Sequence, residues 1–220
     1  GIAEALPKEG TTAFLATTMT QSPKNINTAL ETVKNYKNMN KAEGAEILGT
    51  HLEGPFISSS HIGAQPLEYV AEPLVETFKK YQEVSGNTIK LVSLAPEVPG
   101  AEELIKYLKS QNIVASVGHS AAGFNDVEKA VAAGISNVTH TYNAQKAYHH
   151  RDIGTVGAAL LLDELNCEII CDTIHVSVPA IKMVVKNKPH TKVTLITDSM
   201  RAKQLEDGVS ELGGQTVIVK

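Results

Sequence analysis

Apolar and polar positions along the chain fall into two alternating rhythms. Short runs rich in Val, Ile, Leu and Thr occupy residues 12–19, 45–51, 89–94, 113–117, 137–141, 167–171 and 192–197. Several of these runs are apolar at nearly every position, as expected of parallel strands covered on both faces. Between them lie segments with apolar residues at helical spacing, such as Ile26, Ala29, Leu30, Val33 and Tyr36 within residues 25–36. Further helices are predicted over residues 73–81, 101–108, 125–133, 157–165 and 178–186. Glu102 and Glu103 suit a helix N-terminus, and Gly134 suits a helix end.

Strand and helix in alternation is the pattern of a parallel α/β sheet. Seven strands fit an open doubly wound sheet, and they are one short of a closed (β/α)₈ barrel. The longest connection, residues 52–88, contains Ser58-Ser59-Ser60 and Gly63 and reads as a functional loop leading into a helix. Near the end, Gly213-Gly214 followed by alternating β-formers predicts the start of an antiparallel sheet.

The position of the polar residues favours the barrel. His51 and Glu53 follow the second run, His119 the fourth, His140 and Asn143 the fifth, Asp172 and His175 the sixth, and Asp198 the seventh. All strand C-termini of a (β/α)₈ barrel open onto one mouth, so these groups would converge there. Imidazoles and carboxylates gathered in this way suit a divalent cation with N and O ligands. An open sheet would spread them along an edge. A single His at a strand end is usually a hydrogen-bonded structural group, but a series of strand ends carrying such residues points to chemistry. His61 and His190 are not at strand ends and read as structural. Ser120 or Asn125 could cap the helix after His119. Arg151, in the loop after His149-His150, presents a planar fork that suits phosphate.

Bulk composition changes little. The 220 residues carry a formal net charge of −4, with 42% hydrophobic and 20% charged residues. A globular domain with a real core is expected, and no broad attraction to nucleic acid or an anionic membrane. An anionic substrate would have to meet a local basic group. No apolar run is long enough to cross a bilayer, and residues 1–6 have no leader pattern, so the cytoplasm is the expected location. Cys167 and Cys171 lie on one strand face and read as core thiols.

His51-Leu52-Glu53-Gly54-Pro55-Phe56, Val117-Gly118-His119-Ser120, Thr139-His140-Thr141-Tyr142-Asn143-Ala144, His150-Arg151-Asp152-Ile153-Gly154 and Thr197-Asp198-Ser199-Met200 together resemble the N-acetylglucosamine-6-phosphate deacetylases of the amidohydrolase superfamily. The resemblance runs in order across nearly the whole chain. It implies an α/β fold, a TIM-like (β/α)₈ barrel over residues 1–211 without its first strand. Residues 212–220 would begin an accessory β-domain otherwise absent. It implies Glu53, His119 and His140 as ligands of a divalent metal ion (Zn, Fe, Co or Mn) and Asp198 as the catalytic aspartate. His175 would act near the reacting amide. Ala64, Gln65, Asn143, Ala144 and Arg151 would bind an amino-sugar phosphate, with Arg151 often reaching a neighbouring subunit's site in a homodimer. The implied activity is hydrolysis of the acetamide of N-acetylglucosamine 6-phosphate. Other amidohydrolase activities, dihydroorotase-like or deacetylating, and a non-catalytic sugar-phosphate-binding role on the same scaffold are the alternatives. Two departures stand out: Gln145 occupies a position where the family usually has Met, and the family's His-x-His at the end of its first strand has no counterpart here.

Overall fold

A computed structural model describes residues 1–39 and 44–219. After a short helix α1 (Ile2–Ala5), strands and helices alternate. The strands are β1 (Ala13–Thr17), β2 (Glu46–Glu53), β3 (Ile89–Leu94), β4 (Val114–Val117), β5 (Asn137–Val138), β6 (Asn166–Ile170) and β7 (Val193–Ile196). The helices between them are α2 (Pro23–Asn38), α3 (Val75–Val84), α4 (Ala101–Ser110), α5 (Phe124–Ala133), α6 (Gly154–Leu161) and α7 (Val178–Asn187). All the strand pairs of this sheet are parallel, and their spatial order repeats their order in the chain.

That order decides between the two architectures. A doubly wound sheet reverses direction at a switch point, which puts helices on both faces. Here every crossover advances the same way. Right-handed crossovers of one direction lay the helices on a single face and curl the sheet around the other. The molecule is a partial barrel of the TIM type.

The two faces of the curled sheet are chemically opposite. Leu52, Val92, Leu94, Ala115, Val117, Val138, Cys167 and Ile169 join Ile26, Leu30, Phe78, Leu104, Ile105, Leu108 and Val127 of the helices in one buried cluster. His51, Glu53, Ser93, Ser116, Asn137 and Glu168 alternate with them and line the concave side.

Sequence patterns mark the helix ends. Ser22 accepts the Asn25 N–H at the start of α2, with Pro23 at its first position. Asp126 accepts the N–H of Gly123, the cap of α5, so neither Ser120 nor Asn125 takes the capping role. The predicted fifth strand stops early, at Val138, because His140 leaves the extended region at φ 33°. Cys167 is buried as expected; Cys171 is exposed because β6 ends one residue before it. The antiparallel pair near the end is β8 (Gly208–Leu212) with β9 (Gln215–Val219), so its first strand starts before residue 212. Lys220 lies outside the described residues.

Candidate functional site

Glu53, His119 and His140 converge from the ends of β2, β4 and β5, and all three are buried. Glu53 Oε1 lies 3.0 Å from His119 Nε2 and 3.4 Å from His140 Nε2. The two imidazole nitrogens are 3.2 Å apart. Three donors at these separations match neighbouring corners of one coordination shell, since ligand bonds of about 2.0–2.2 Å put adjacent donors roughly 2.8–3.1 Å apart in an octahedral shell and roughly 3.3–3.6 Å apart in a tetrahedral one.

The tautomer of His119 supports the same fit. Its Nδ1 lies 3.0 Å from the carbonyl of His61, which can only accept, so Nδ1 carries the proton. The neutral ring then turns an Nε2 lone pair toward the Glu53 carboxylate, an arrangement that calls for a positive charge between them. Burial disfavours the Glu53 charge, but the close-set imidazoles of His119 and His140 outweigh it and hold the carboxyl well below the usual carboxylate range. For His140, burial again opposes the charged form, and Glu53 with Asp198 overcomes it, so its pKa is raised. The residues present fit a divalent cation.

Backbone strain accompanies the chemistry. His119 (φ 49°), His140 (φ 33°) and Asp198 (φ 49°) all adopt the left-handed region, which a non-glycine residue enters at about 1–3 kcal/mol. Such residues persist where the surroundings fix them.

Asp198, after β7, is exposed by area yet faces the cluster. Desolvation and then the charge of Glu53 raise its pKa, while His140, His119 and His175 pull it back. His175 is also exposed, and its Nδ1 donates to Asp172 Oδ2 at 2.5 Å. Asp172 Oδ1 accepts the backbone N–H groups of Ile174 and His175, so this carboxylate orients the whole turn.

Gln65 is buried, and its amide N–H donates to Glu53 Oε1 at 3.2 Å while its carbonyl accepts the Thr20 N–H at 2.6 Å. It therefore ties the end of β1 to the carboxylate of the donor set. Ala64 offers its carbonyl to the side-chain amide of Gln215, the first residue of β9. The Asn143 backbone and side-chain N–H groups both face the His140 carbonyl, at 2.9 and 3.4 Å. Arg151 lies on an exposed loop, at a surface cleft of about 460 Å³ shared with Phe124, His150 and Asp152. No hydrogen bond or ion pair joins its guanidinium to the Glu53 cluster among the described residues.

Beneath the donor set runs a polar ladder that sequence patterns did not announce. Asn137 Nδ2 donates to Glu168 Oε1 (2.9 Å) and to Ser116 Oγ (3.0 Å). From Ser116 the chain continues through Thr139 (2.6 Å) and Ser93 (2.6 Å) to His51 Nε2 (2.7 Å). With the Asn137 amide donating, every group in the run is satisfied when each hydroxyl passes its proton onward and His51 Nε2 accepts. Burial is the main reason that the His51 pKa falls to about 4.

No family model matches the chain. It is 48% identical to the N-acetylglucosamine-6-phosphate deacetylase of Bacillus subtilis (strain 168) over 217 residues, 98% of this chain and 55% of that protein. Over nearly its whole length the chain is similar to N-acetylglucosamine-6-phosphate deacetylases. It spans a little over half the length of the curated relatives it matches. The Thermotoga maritima deacetylase superposes with a TM-score of 0.90 at 37% identity, covering 99% of this chain and 58% of that one. A variant of the Mycobacterium smegmatis deacetylase, solved in complex with N-acetyl-D-glucosamine-6-phosphate, gives 0.90 at 27% identity, covering 96% and 54%. Within this chain, Gln145 is an integrated part of the turn. It is buried, its amide N–H donates to the Thr139 carbonyl at 2.8 Å, and its side-chain carbonyl accepts the Tyr142 N–H at 3.2 Å, closing the turn that carries His140.

Proposed function

We propose that the parent protein hydrolyses the acetamide of N-acetylglucosamine 6-phosphate to glucosamine 6-phosphate and acetate, with Glu53, His119 and His140 holding one divalent cation. The observation that carries this is the buried carboxylate–imidazole–imidazole donor set facing Asp198. When bound, Zn, Fe, Co or Mn would polarise a carbonyl and acidify water. Asp198 takes the proton of the water that adds to the acetamide carbon, then returns it to the amine nitrogen as the C–N bond breaks. His175, its Nδ1 committed to Asp172, presents Nε2 to the carbonyl oxygen as negative charge develops there. Gln65 steadies Glu53, while Asn143 and Ala144 seat the sugar beside Ala64.

Arg151 lies away from the donor set on an exposed loop, which suits a guanidinium anchoring the 6-phosphate in the site of a second subunit. The working form is then a cytoplasmic homodimer. Its barrel is completed to eight strands, with β8 and β9 part of a small accessory β-domain. No helix among the described residues is long and apolar enough to cross a membrane.

The test uses the full-length, metal-loaded enzyme against N-acetylated sugars with and without the phosphate. Turnover of the phosphorylated amino sugar is expected, with a large loss when the phosphate is removed. Asp198→Asn should lower turnover by about 10²–10⁴-fold and leave the metal content unchanged. Near-normal turnover of that variant refutes its assigned role, and equal turnover of both sugars refutes the substrate assignment.

A further inference from the structure

Glu97 stands apart from the donor cluster, three residues beyond the end of β3. Both its carboxylate oxygens are committed to the turn that follows His119. Ser120 Oγ donates to Oε2 at 2.8 Å, and the Ala121 backbone N–H donates to Oε1 at 2.6 Å. The same Ser120 hydroxyl accepts the Ala122 N–H at 3.0 Å. Hydrogen bonds from such donors to an ionised carboxylate are roughly twice as strong as neutral ones.

The turn held in this way serves two parts of the site. On one side it follows directly from His119, whose left-handed backbone aims Nε2 at Glu53 and His140 and whose carbonyl accepts the Ser58 N–H at 2.9 Å. On the other, the Ser120 N–H donates to the Ala144 carbonyl at 3.0 Å, and the Ser120 carbonyl accepts the Lys146 N–H at 2.9 Å. Ser120 is fully buried, so these bonds are shielded from water.

We propose that Glu97 is a positioning residue that fixes the His119 turn and, through Ser120, the Asn143–Ala144 segment, so that cation and substrate seats are aligned by one carboxylate. The proposal rests on the cation-site reading, and Glu97 itself touches none of the reacting atoms. It acts by geometry: two acceptor positions at the right reach. Glu97→Gln keeps a carbonyl oxygen for the Ala121 N–H and meets Ser120 Oγ with an amide N–H, reversing the direction of that bond while keeping its geometry. Glu97→Asp keeps the charge but falls one methylene short.

The experiment measures Zn²⁺ dissociation constants by chelator competition for the full-length enzyme and its Glu97→Asp, Glu97→Gln and Glu97→Ala variants. Glu97→Asp and Glu97→Ala are expected to bind Zn²⁺ about 10–100-fold more weakly, the usual effect of removing a group that orients a ligand, with Glu97→Gln within about threefold of the parent. In the metal-free forms, hydrogen exchange at the Ala121 amide should accelerate in the Asp and Ala variants only. At saturating Zn²⁺, KM should rise more than kcat falls, since the Ala144 seat loosens while Asp198 is untouched. Parent-like Zn²⁺ affinity in Glu97→Asp overturns the proposal, as does a Glu97→Gln variant as weak as Glu97→Ala, which would assign the effect to charge. If the parent itself binds none of Zn²⁺, Fe²⁺, Co²⁺ and Mn²⁺, the proposed function falls together with this inference. If Glu97→Ala does not fold, the Asp and Gln pair decides.

Discussion

Asp172 shows how a single side chain prepares a reacting one. Its pKa is lowered to about 2, first by the hydrogen bond from His175 and then by the backbone N–H groups it accepts. A carboxylate depressed in the folded state stabilises the turn above its unfolded value near 3.8, and that contribution disappears as pH falls through about 2. In His175→Ala, the Asp172 carboxyl should titrate at a clearly higher pH, moving toward the ordinary value. Carboxyl-carbon NMR reads this directly, and an unchanged titration would show that the backbone bonds alone hold it. At this scale the sequence disclosed the donors and concealed their supports. Glu53, His119, His140 and Asp198 were visible because each follows an apolar run. Gln65 was visible only as a substrate contact implied by resemblance; its bond to Glu53 spans a loop whose path no periodicity specifies. Glu97 follows a run as well, but three residues on, and its partners lie on a neighbouring strand's turn.

Among the elements, β2 carries the most information. Its register against β1 shifts: Phe14 pairs with Ile47 and Leu15 with Gly49, so Leu48 is passed over and half exposed. An extra residue in a strand reverses which later side chains face each side. The shift therefore directs His51 and Glu53 into the concave face and Leu52 outward to the helices. Gly49 makes it possible, because a Cβ there would lie 2.4 Å from the Thr88 backbone carbonyl. Gly49→Ala should destabilise the protein by about 1–3 kcal/mol in urea unfolding, the usual range for overpacking a tight site. A neutral result would mean that β3 yields easily. The existence of every strand in the sheet was legible from apolar runs, and the six longer helices from spacing and end signals. The shift in β2 was not, since the run 45–51 reads apolar through it. The short α1 carries too few residues for any period to register.

For the whole molecule, binding energy and folding energy meet at the donor set. Gathering Glu53, His119 and His140 buries a carboxylate against two imidazoles and strains two of the three backbones. A cation that binds only the folded chain offsets this by mass action, about 2.7 kcal/mol at a free concentration 100 times Kd. Thermal unfolding of the full-length protein should therefore shift upward with Zn²⁺ and downward with a chelator. A midpoint indifferent to both would exclude the site. The barrel class was legible only once the chemistry was weighed with the strand count, because alternation alone serves both architectures. The decisive fact, a sheet order that never reverses, depends on long-range pairing that local patterns do not encode.

The ladder from Asn137 to His51 has a sense of travel, fixed at one end by an amide that cannot accept through its nitrogen. A chain of this kind has no independent rungs. Replacing Ser116 by alanine releases the Thr139 hydroxyl to turn about, which in turn frees Ser93 to face away from the imidazole, so a change on β4 is registered on β2. Lineages that lose one hydroxyl thus lose the reason to keep the others, and Ser93, Ser116 and Thr139 should drift as a block rather than one by one.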